Sequence, residues 1–185
     1  MTVHHLSLEE LNSHLDEIRE SPKDAGPLEL IALRPEQGER IVPEHGELSL
    51  TEGLVGDNWG TRGSRRTEDG SSHPDMQLNL MNARVATLVA QDPDRRALAG
   101  DQLYVDLDLS EENLPPGSEL EIGDAVIAVT DQPHTGCKKF VERFGVDAMK
   151  FVNSEIGRKL SLRGINAKVV RAGTVTVGDI VKKRR

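Results

Sequence analysis

The chain has 185 residues, 36% of them apolar, which suffices for one domain-sized core and falls short of two full domains. Its 23 basic and 31 acidic residues leave a formal charge of −8, a sign that opposes general attraction to nucleic acid, and 3% aromatic residues are too few for the stacking surfaces of single-strand binders. No apolar run approaches the ~20 residues of a membrane-spanning helix, and acids stand in residues 1–10 where a signal peptide has its apolar core, so a cytoplasmic protein that crosses no membrane is expected.

Residues 1–27 are expected to form a helix and linker, and residues 28–185 one β-barrel domain. In residues 7–20, Leu8, Leu11, Leu15 and Ile18 recur at helical spacing, and Ser7 with Glu10 makes a capping-box pattern. The period changes to two in residues 28–33 and again around Leu48 and Leu50, which predicts short strands. Residues 60–74 are polar and aperiodic, a loop that reads equally as a lid or as disorder. A strand over 76–81 and a helix from Asn82, with Val85, Leu88 and Val89 on one face, come next. Leu103, Val105, Leu107 and Leu109 then alternate with Tyr104, Asp106 and Asp108, the pattern of a half-buried strand with a solvated acidic face.

Two stretches, 118–126 and 174–181, each read as strand, Gly-Asp turn, strand. With strands at 125–130 and 165–170, the punctuation predicts a mainly β, closed or nearly closed barrel decorated with helices, two of them at 136–144 and 146–156. The basic tail Lys182-Lys183-Arg184-Arg185 reads as a solvated terminus.

One cysteine cannot close an internal disulfide, so its thiol stays available. Cys137 lies in Asp131-Gln132-Pro133-His134-Thr135-Gly136-Cys137-Lys138-Lys139, after a buried strand, with Thr135 as the expected N-cap of the following helix. In the first helical turn the thiol would meet free backbone N–H groups and the ammonium groups of Lys138 and Lys139, which together should lower its pKa below the ~8.5 of a free cysteine. The thiolate attacks electrophiles or ligates soft metals. His134 reads as a proton relay, as an anchor for the turn, or as a bystander, and no third residue that would orient it as a catalytic base is visible. His4, His5 and His14 lack partners at zinc-ligand spacing.

The order of Gly53-Leu54-Val55-Gly56-Asp57, a strand near Gln77, a Leu-x-x-Gly-x-x-Leu-x-Ile-Gly-x-Ala segment from Leu114 to Ala125, a cysteine just past a strand, and Gly173-x-Val175-x-x-Gly178-Asp179 resembles the MOSC (molybdenum cofactor sulfurase C-terminal) family. The resemblance implies a β-barrel and a cysteine that carries persulfide sulfur to the molybdenum cofactor (molybdopterin) or binds its metal as a thiolate. It implies a cysteine desulfurase or a molybdoenzyme as partner, with pyridoxal phosphate in the desulfurase rather than in this chain. It offers Arg95, Arg96, Arg143 and Arg163, with Thr135 and Gly136, as cofactor-binding residues, since a guanidinium pairs bidentately with phosphate; each arginine also reads as a plain surface charge. Where many cofactor-binding members carry an Arg-x-Asn motif, this chain has Arg95-Arg96-Ala97-Leu98-Ala99-Gly100-Asp101. From another class, the chain reads as a non-catalytic module that holds a small anion or a partner protein at the barrel mouth and the 60–74 loop.

Overall fold

Helices α1 (Leu8–Ser13) and α2 (Leu15–Arg19) lead into strand β1 (Ala25–Ile31) in the computed structural model, which describes residues 3–185. Strands β2 (His45–Ser49) and β3 (Gly53–Leu54) precede α3 (Trp59–Arg62), then β4 (Leu78–Asn82), α4 (Ala83–Ala90), a 3₁₀ segment (Pro93–Ala99) and β5 (Leu103–Val105). The second half runs β6 (Glu119–Ile122), β7 (Ala125–Val129), α5 (Lys138–Phe144), α6 (Val146–Asn153), α7 (Glu155–Lys159), β8 (Ile165–Arg171), β9 (Gly173–Thr176) and β10 (Ile180–Lys183). Seven strands close a barrel in the order β1-β10-β6-β7-β8-β4-β5, and β3-β2-β9 form a separate three-stranded sheet. All barrel pairs are antiparallel except β4 with β5. Among the described residues no helix is long and apolar enough to cross a membrane.

The core has two layers. Leu28, Leu78, Leu80, Leu103, Val105 and Ile127 are among the side chains of one cluster, and Met81, Val85, Tyr104, Phe140, Phe144 and Phe151 belong to a second cluster that includes residues of the helices. A bulge between Leu28 and Leu30 in β1 accounts for a departure from simple alternation: Leu28 and Ile31 join the first cluster, while Leu30 and Ala32 join the second. A strand with apolar cover on both faces cannot show a clean polar side, and Tyr104, expected opposite the leucines on a solvated face, is fully buried.

Several elements end earlier than their apolar period suggests. The expected helix over 7–20 breaks at His14, although its capping box forms, with Glu10 N donating to Ser7 Oγ at 3.2 Å and Ser7 N to Glu10 Oε2 at 2.7 Å. The expected strand over 103–109 leaves the ladder after Val105, where Asp106 N donates to Pro27 O and Asp108 N to Pro22 O. Its acids are then used locally: Asp106 pairs with Arg84 at 2.8 Å, and Asp108 accepts from Ser110 N. Asn82 makes the turn from β4 into α4, accepting from Arg84 N and Val85 N while its Nδ2 donates to Ser21 Oγ and Leu107 O. The two Gly-Asp echoes differ: β6 and β7 pair as a hairpin, whereas β9 goes to the small sheet and β10 to the barrel.

β1 passes so close to the segment after β5 that a Cβ on Gly26 would lie 1.7 Å from the carbonyl oxygen of Asp106. Gly26→Ala therefore has to displace backbone. It should destabilise the fold by about 3 kcal/mol or more and lower Tm by about 10 °C in differential scanning calorimetry; an unchanged Tm would mean that this approach is looser than described.

Candidate functional site

The segments after β1 and β7, the stretch before β5 and residues near α3 meet around a cavity of about 900 Å³. Seven basic side chains line it, Arg34, Arg40, Arg62, Arg65, Lys139, Arg143 and Arg163, against one carboxylate, Glu36. In a chain of net charge −8 this is a local inversion of sign. Arg62 and Arg65 come from α3 and the stretch after it, where Thr67 Oγ1 donates to Ser64 O and Ser71 O, and Ser72 Oγ to Trp59 O.

Four of these arginines are anchored on four successive carbonyls at the end of the 3₁₀ segment. Arg40 Nε donates to Ala97 O at 3.2 Å, Arg143 Nη1 to Leu98 O at 2.7 Å, Arg163 Nη2 to Ala99 O at 2.8 Å and Arg34 Nη1 to Gly100 O at 2.9 Å. Ala97 O also accepts from Gly100 N, whereas a helix end leaves the three carbonyls after it without intrahelical donors, and a cation is their best partner. Two of the four also have a carboxylate. Arg34 donates to Asp57 through Nε at 2.8 Å and Nη2 at 2.7 Å; burial opposes the charge on Asp57, yet the Arg34 guanidinium holds its carboxyl below the usual range. Arg163 Nη1 reaches Asp101 Oδ2 at 2.6 Å.

Arg40 and Arg143 have no carboxylate partner among the described residues. Arg40 Nη2 and Arg143 Nη1 each lie 3.6 Å from where a Cβ on Gly100 would stand, so the two guanidinium groups converge over that glycine, whose φ is +92°. Burial first, and then the neighbouring charges of Arg143 and Arg34, push the Arg40 pKa down; burial and then Arg34 do the same to Arg62. Guanidinium groups held together in this way are short of negative charge.

Asp101, with its side chain fully buried, carries the second carboxylate link: its Oδ1 is 2.8 Å from His134 Nε2. Burial opposes its ionisation, but Arg163 and then His134 bring its pKa to about 2. Burial first, and then Arg163, lower the His134 pKa, with Asp101 partly offsetting them. A neutral His134 beside an ionised Asp101 carries its proton on Nε2 and leaves the Nδ1 lone pair free. Asp101 is the orienting third group that the sequence did not reveal, 33 positions from His134.

Cys137 is exposed and lines the same cavity as His134, Thr135, Lys139, Arg143 and Arg163. It is the N-cap of α5, so the helix begins one residue after it and Thr135 caps nothing. The reason is Asn153, which accepts from Gly136 N at 2.8 Å and donates to Gly136 O at 3.1 Å, satisfying that peptide outside the helix. Lys138 is exposed and does not line the cavity. Arg95 donates to Ala90 O and Arg143 O and lies over the ring of Phe144, Arg96 pairs with Glu29, and neither lines the cavity. Arg34, Arg40, Arg62, Arg65 and Asp101 are the members that local reading missed.

Removing one charge of the Asp101 pair should be costly. Asp101→Asn leaves Arg163 buried without its counter-charge, a loss of about 3 to 5 kcal/mol in urea unfolding. Because the Asp101 pKa is depressed on folding from 3.8 to about 2, its contribution is complete above pH ~4 and is lost as pH falls through about 2. The stability gap between wild type and variant should thus be level down to pH ~4 and narrow below it; a gap that widens there would contradict the pairing.

Several solved structures share the fold. The YuaD protein of Bacillus subtilis aligns with TM-score 0.65 and 15% identity over 86% of this chain and 95% of that one. YiiM of Escherichia coli aligns with TM-score 0.56 and 20% identity over 87% and 70%, and YiiM of Geobacillus stearothermophilus with 0.52 and 13% over 86% and 75%. No curated protein matches the chain. The MOSC domain family model matches residues 71–182, a span that holds Asp101, His134, Cys137, Arg143 and Arg163. With that span covering more than half of the sequence, and with the closed barrel to match, the chain belongs to the MOSC domain family, which is associated with the molybdenum cofactor.

Proposed function

We propose that the cationic cavity binds the molybdenum cofactor by its phosphate and presents Cys137 to the metal end, as a persulfide carrier or as a thiolate ligand. The observation that carries this reading is the convergence of Arg40 and Arg143 over Gly100, uncompensated by any carboxylate, in the cavity that also holds the only cysteine of the chain. A phosphate monoester supplies the missing charge and accepts several hydrogen bonds at once from paired guanidinium groups.

The residues fit the group in two further respects. Asn58 and Arg163, two residues that line this cavity, each keep a buried atom without a hydrogen-bond partner, the acceptor Oδ1 and the donor Nε. Among the described residues no three of His, Cys, Asp and Glu cluster at metal-holding distance. A bare ion would find one thiolate here, so a metal has to arrive with ligands of its own, which the cofactor's pterin dithiolene provides when bound.

The chain's own part is then to bind, orient and offer sulfur. Arg40 and Arg143 take the phosphate, with Arg62 and Arg65 at the rim. Arg163 and Arg34, locked to Asp101 and Asp57, keep the wall rigid. The Cys137 thiolate can attack the outer sulfur of a desulfurase persulfide, forming a new S–S bond as the desulfurase thiolate leaves. The Nδ1 atom of His134 can hold a proton in the same cavity. Pyridoxal phosphate, on this reading, remains in the partner desulfurase.

The test uses the full chain produced in a host that makes the cofactor. Wild type should carry molybdenum and pterin, and Arg40→Ala should bind phosphate ligands about tenfold more weakly or worse. Cys137→Ser that keeps pterin but loses metal would identify thiolate ligation. Incubation with a cysteine desulfurase and cysteine should add about 32 Da to wild type and nothing to Cys137→Ser if sulfur is carried. Absence of pterin, metal and sulfur adduct together would leave the anion-binding module as the surviving reading.

A further inference from the structure

We propose that residues 60–72 are a strap that closes over the cationic cavity when an anion enters it, drawn in through Arg62 and Arg65. The proposal rests on the anion reading of that cavity and adds its gate.

The segment is held to itself rather than to the barrel. From Gly60 to Met76 no residue is buried, so no apolar side chain anchors the strap in the core. Its hydrogen bonds are internal or run to its own root at Asn58 and Trp59. Ser64 N donates to Gly70 O, Thr67 Oγ1 to Ser64 O and Ser71 O, Arg66 N to Ser64 Oγ, and Ser71 N and Oγ to Asp69 Oδ1. Ser72 Oγ reaches back to Trp59 O and closes the neck, and Trp59 is the last buried residue before the strap. Among the described residues, the one hydrogen bond from the strap beyond this root runs from Arg66 Nη1 to Met76 Sδ, at 4.0 Å. A compact loop with joined ends, stiff within and lightly seated, moves as one piece. Its neck is narrow: a Cβ on Gly63, whose φ is +71°, would lie 2.5 Å from Gly70 O.

Charge gives the motion its direction. Arg62 and Arg65 line the cavity, and neither side chain makes an ion pair or a hydrogen bond among the described residues. The strap's acids, Glu68 and Asp69, do not line it, and Asp69 accepts from Ser71 instead. The cavity wall also holds Arg40 and Arg143, again without a carboxylate. Desolvation first, and then the charge of Arg34, lower the Arg62 pKa; Asp57 partly offsets them, and Arg40 adds to the repulsion. By themselves, these like charges push the strap outward. A dianion among them attracts both sets, and the strap is the part that can respond, because Arg40 and Arg143 are fixed on the carbonyls of Ala97 and Leu98. The bonds the anion gains from Arg62 and Arg65 are its differential affinity for the closed state.

Trypsin supplies the test, since Arg62, Arg65 and Arg66 are cleavage sites on the strap itself. Inorganic phosphate is added to ¹⁵N-labelled full-length protein at constant ionic strength, and the Gly100 amide shift reports how far the cavity is filled. At saturation, cleavage after Arg66, followed by mass spectrometry, should slow at least about tenfold, because proteolysis follows the population of the open form. In the double variant Arg62→Gln, Arg65→Gln, phosphate should still shift Gly100, at higher concentration, and protect Arg66 less than about twofold. A shifted Gly100 with unchanged cleavage in wild type would overturn the strap and leave the anion reading standing, as would protection that survives in the double variant. A double variant whose Gly100 no longer responds would make the two arginines part of the fixed wall, which also overturns the strap. No Gly100 shift in wild type would overturn the anion reading and the strap with it.

Discussion

The end of the 3₁₀ segment, where the carbonyls of Ala97, Leu98, Ala99 and Gly100 each accept from a different arginine, is the constraint on which the site depends. The four arginines reach it from the segment after β1, from α5 and from the turn before β8. Left to themselves, guanidinium groups at this spacing repel. A row of outward carbonyls offsets that repulsion with charge-assisted hydrogen bonds, each worth about 1.5 to 3 kcal/mol. The same bonds tie distant parts of the chain to one short stretch of backbone.

Two buried carboxylates then divide the arginines into two kinds. Asp57 neutralises Arg34 and Asp101 neutralises Arg163, so these two are structural; truncating either acid would strand a buried cation. Arg40 and Arg143 have carbonyl partners only, and carbonyl dipoles do not cancel a full charge. The asymmetry separates the part of the cavity wall whose charge is met from the part whose charge is not. Asp101 does one more thing with its second oxygen, fixing the tautomer of His134 and so deciding which imidazole nitrogen is free.

Local pattern carried the β-barrel and the cysteine loop into view, because both are written in neighbouring residues: period-two apolar runs, Gly-Asp turns, and the contiguous His134-Thr135-Gly136-Cys137. The cationic cavity is written differently. Arg34 meets Asp57 across 23 positions, Asp101 meets Arg163 across 62, and Arg143 meets Leu98 across 45, separations that leave no periodic trace in one sequence. The arginines legible as a pair, Arg95 and Arg96, contact the end of α5 and Glu29, while the backbone just after them seats the arginines of the cationic cavity. The placement of Cys137 shows a finer limit. Thr135 has good N-cap chemistry, but Asn153, 17 positions from Gly136, fixes that peptide in an extended run and moves the helix start to Lys138.

The overall acidity of the chain and the basic cavity are not in conflict, because they act at different ranges. At physiological ionic strength the Debye length is about 8 Å, so a net charge of −8 spread over the surface disfavours a long polyanion that must lie against much of it. A small anion that enters the cavity comes within hydrogen-bonding distance of guanidinium groups whose own counter-charge is missing, and there the local terms dominate. On the proposed reading size and charge are selected together: the net-acidic surface disfavours a long polyanion, and the converging Arg40 and Arg143 suit a compact dianion. On that reading an anion held by the arginines shares its cavity with the exposed thiol of Cys137.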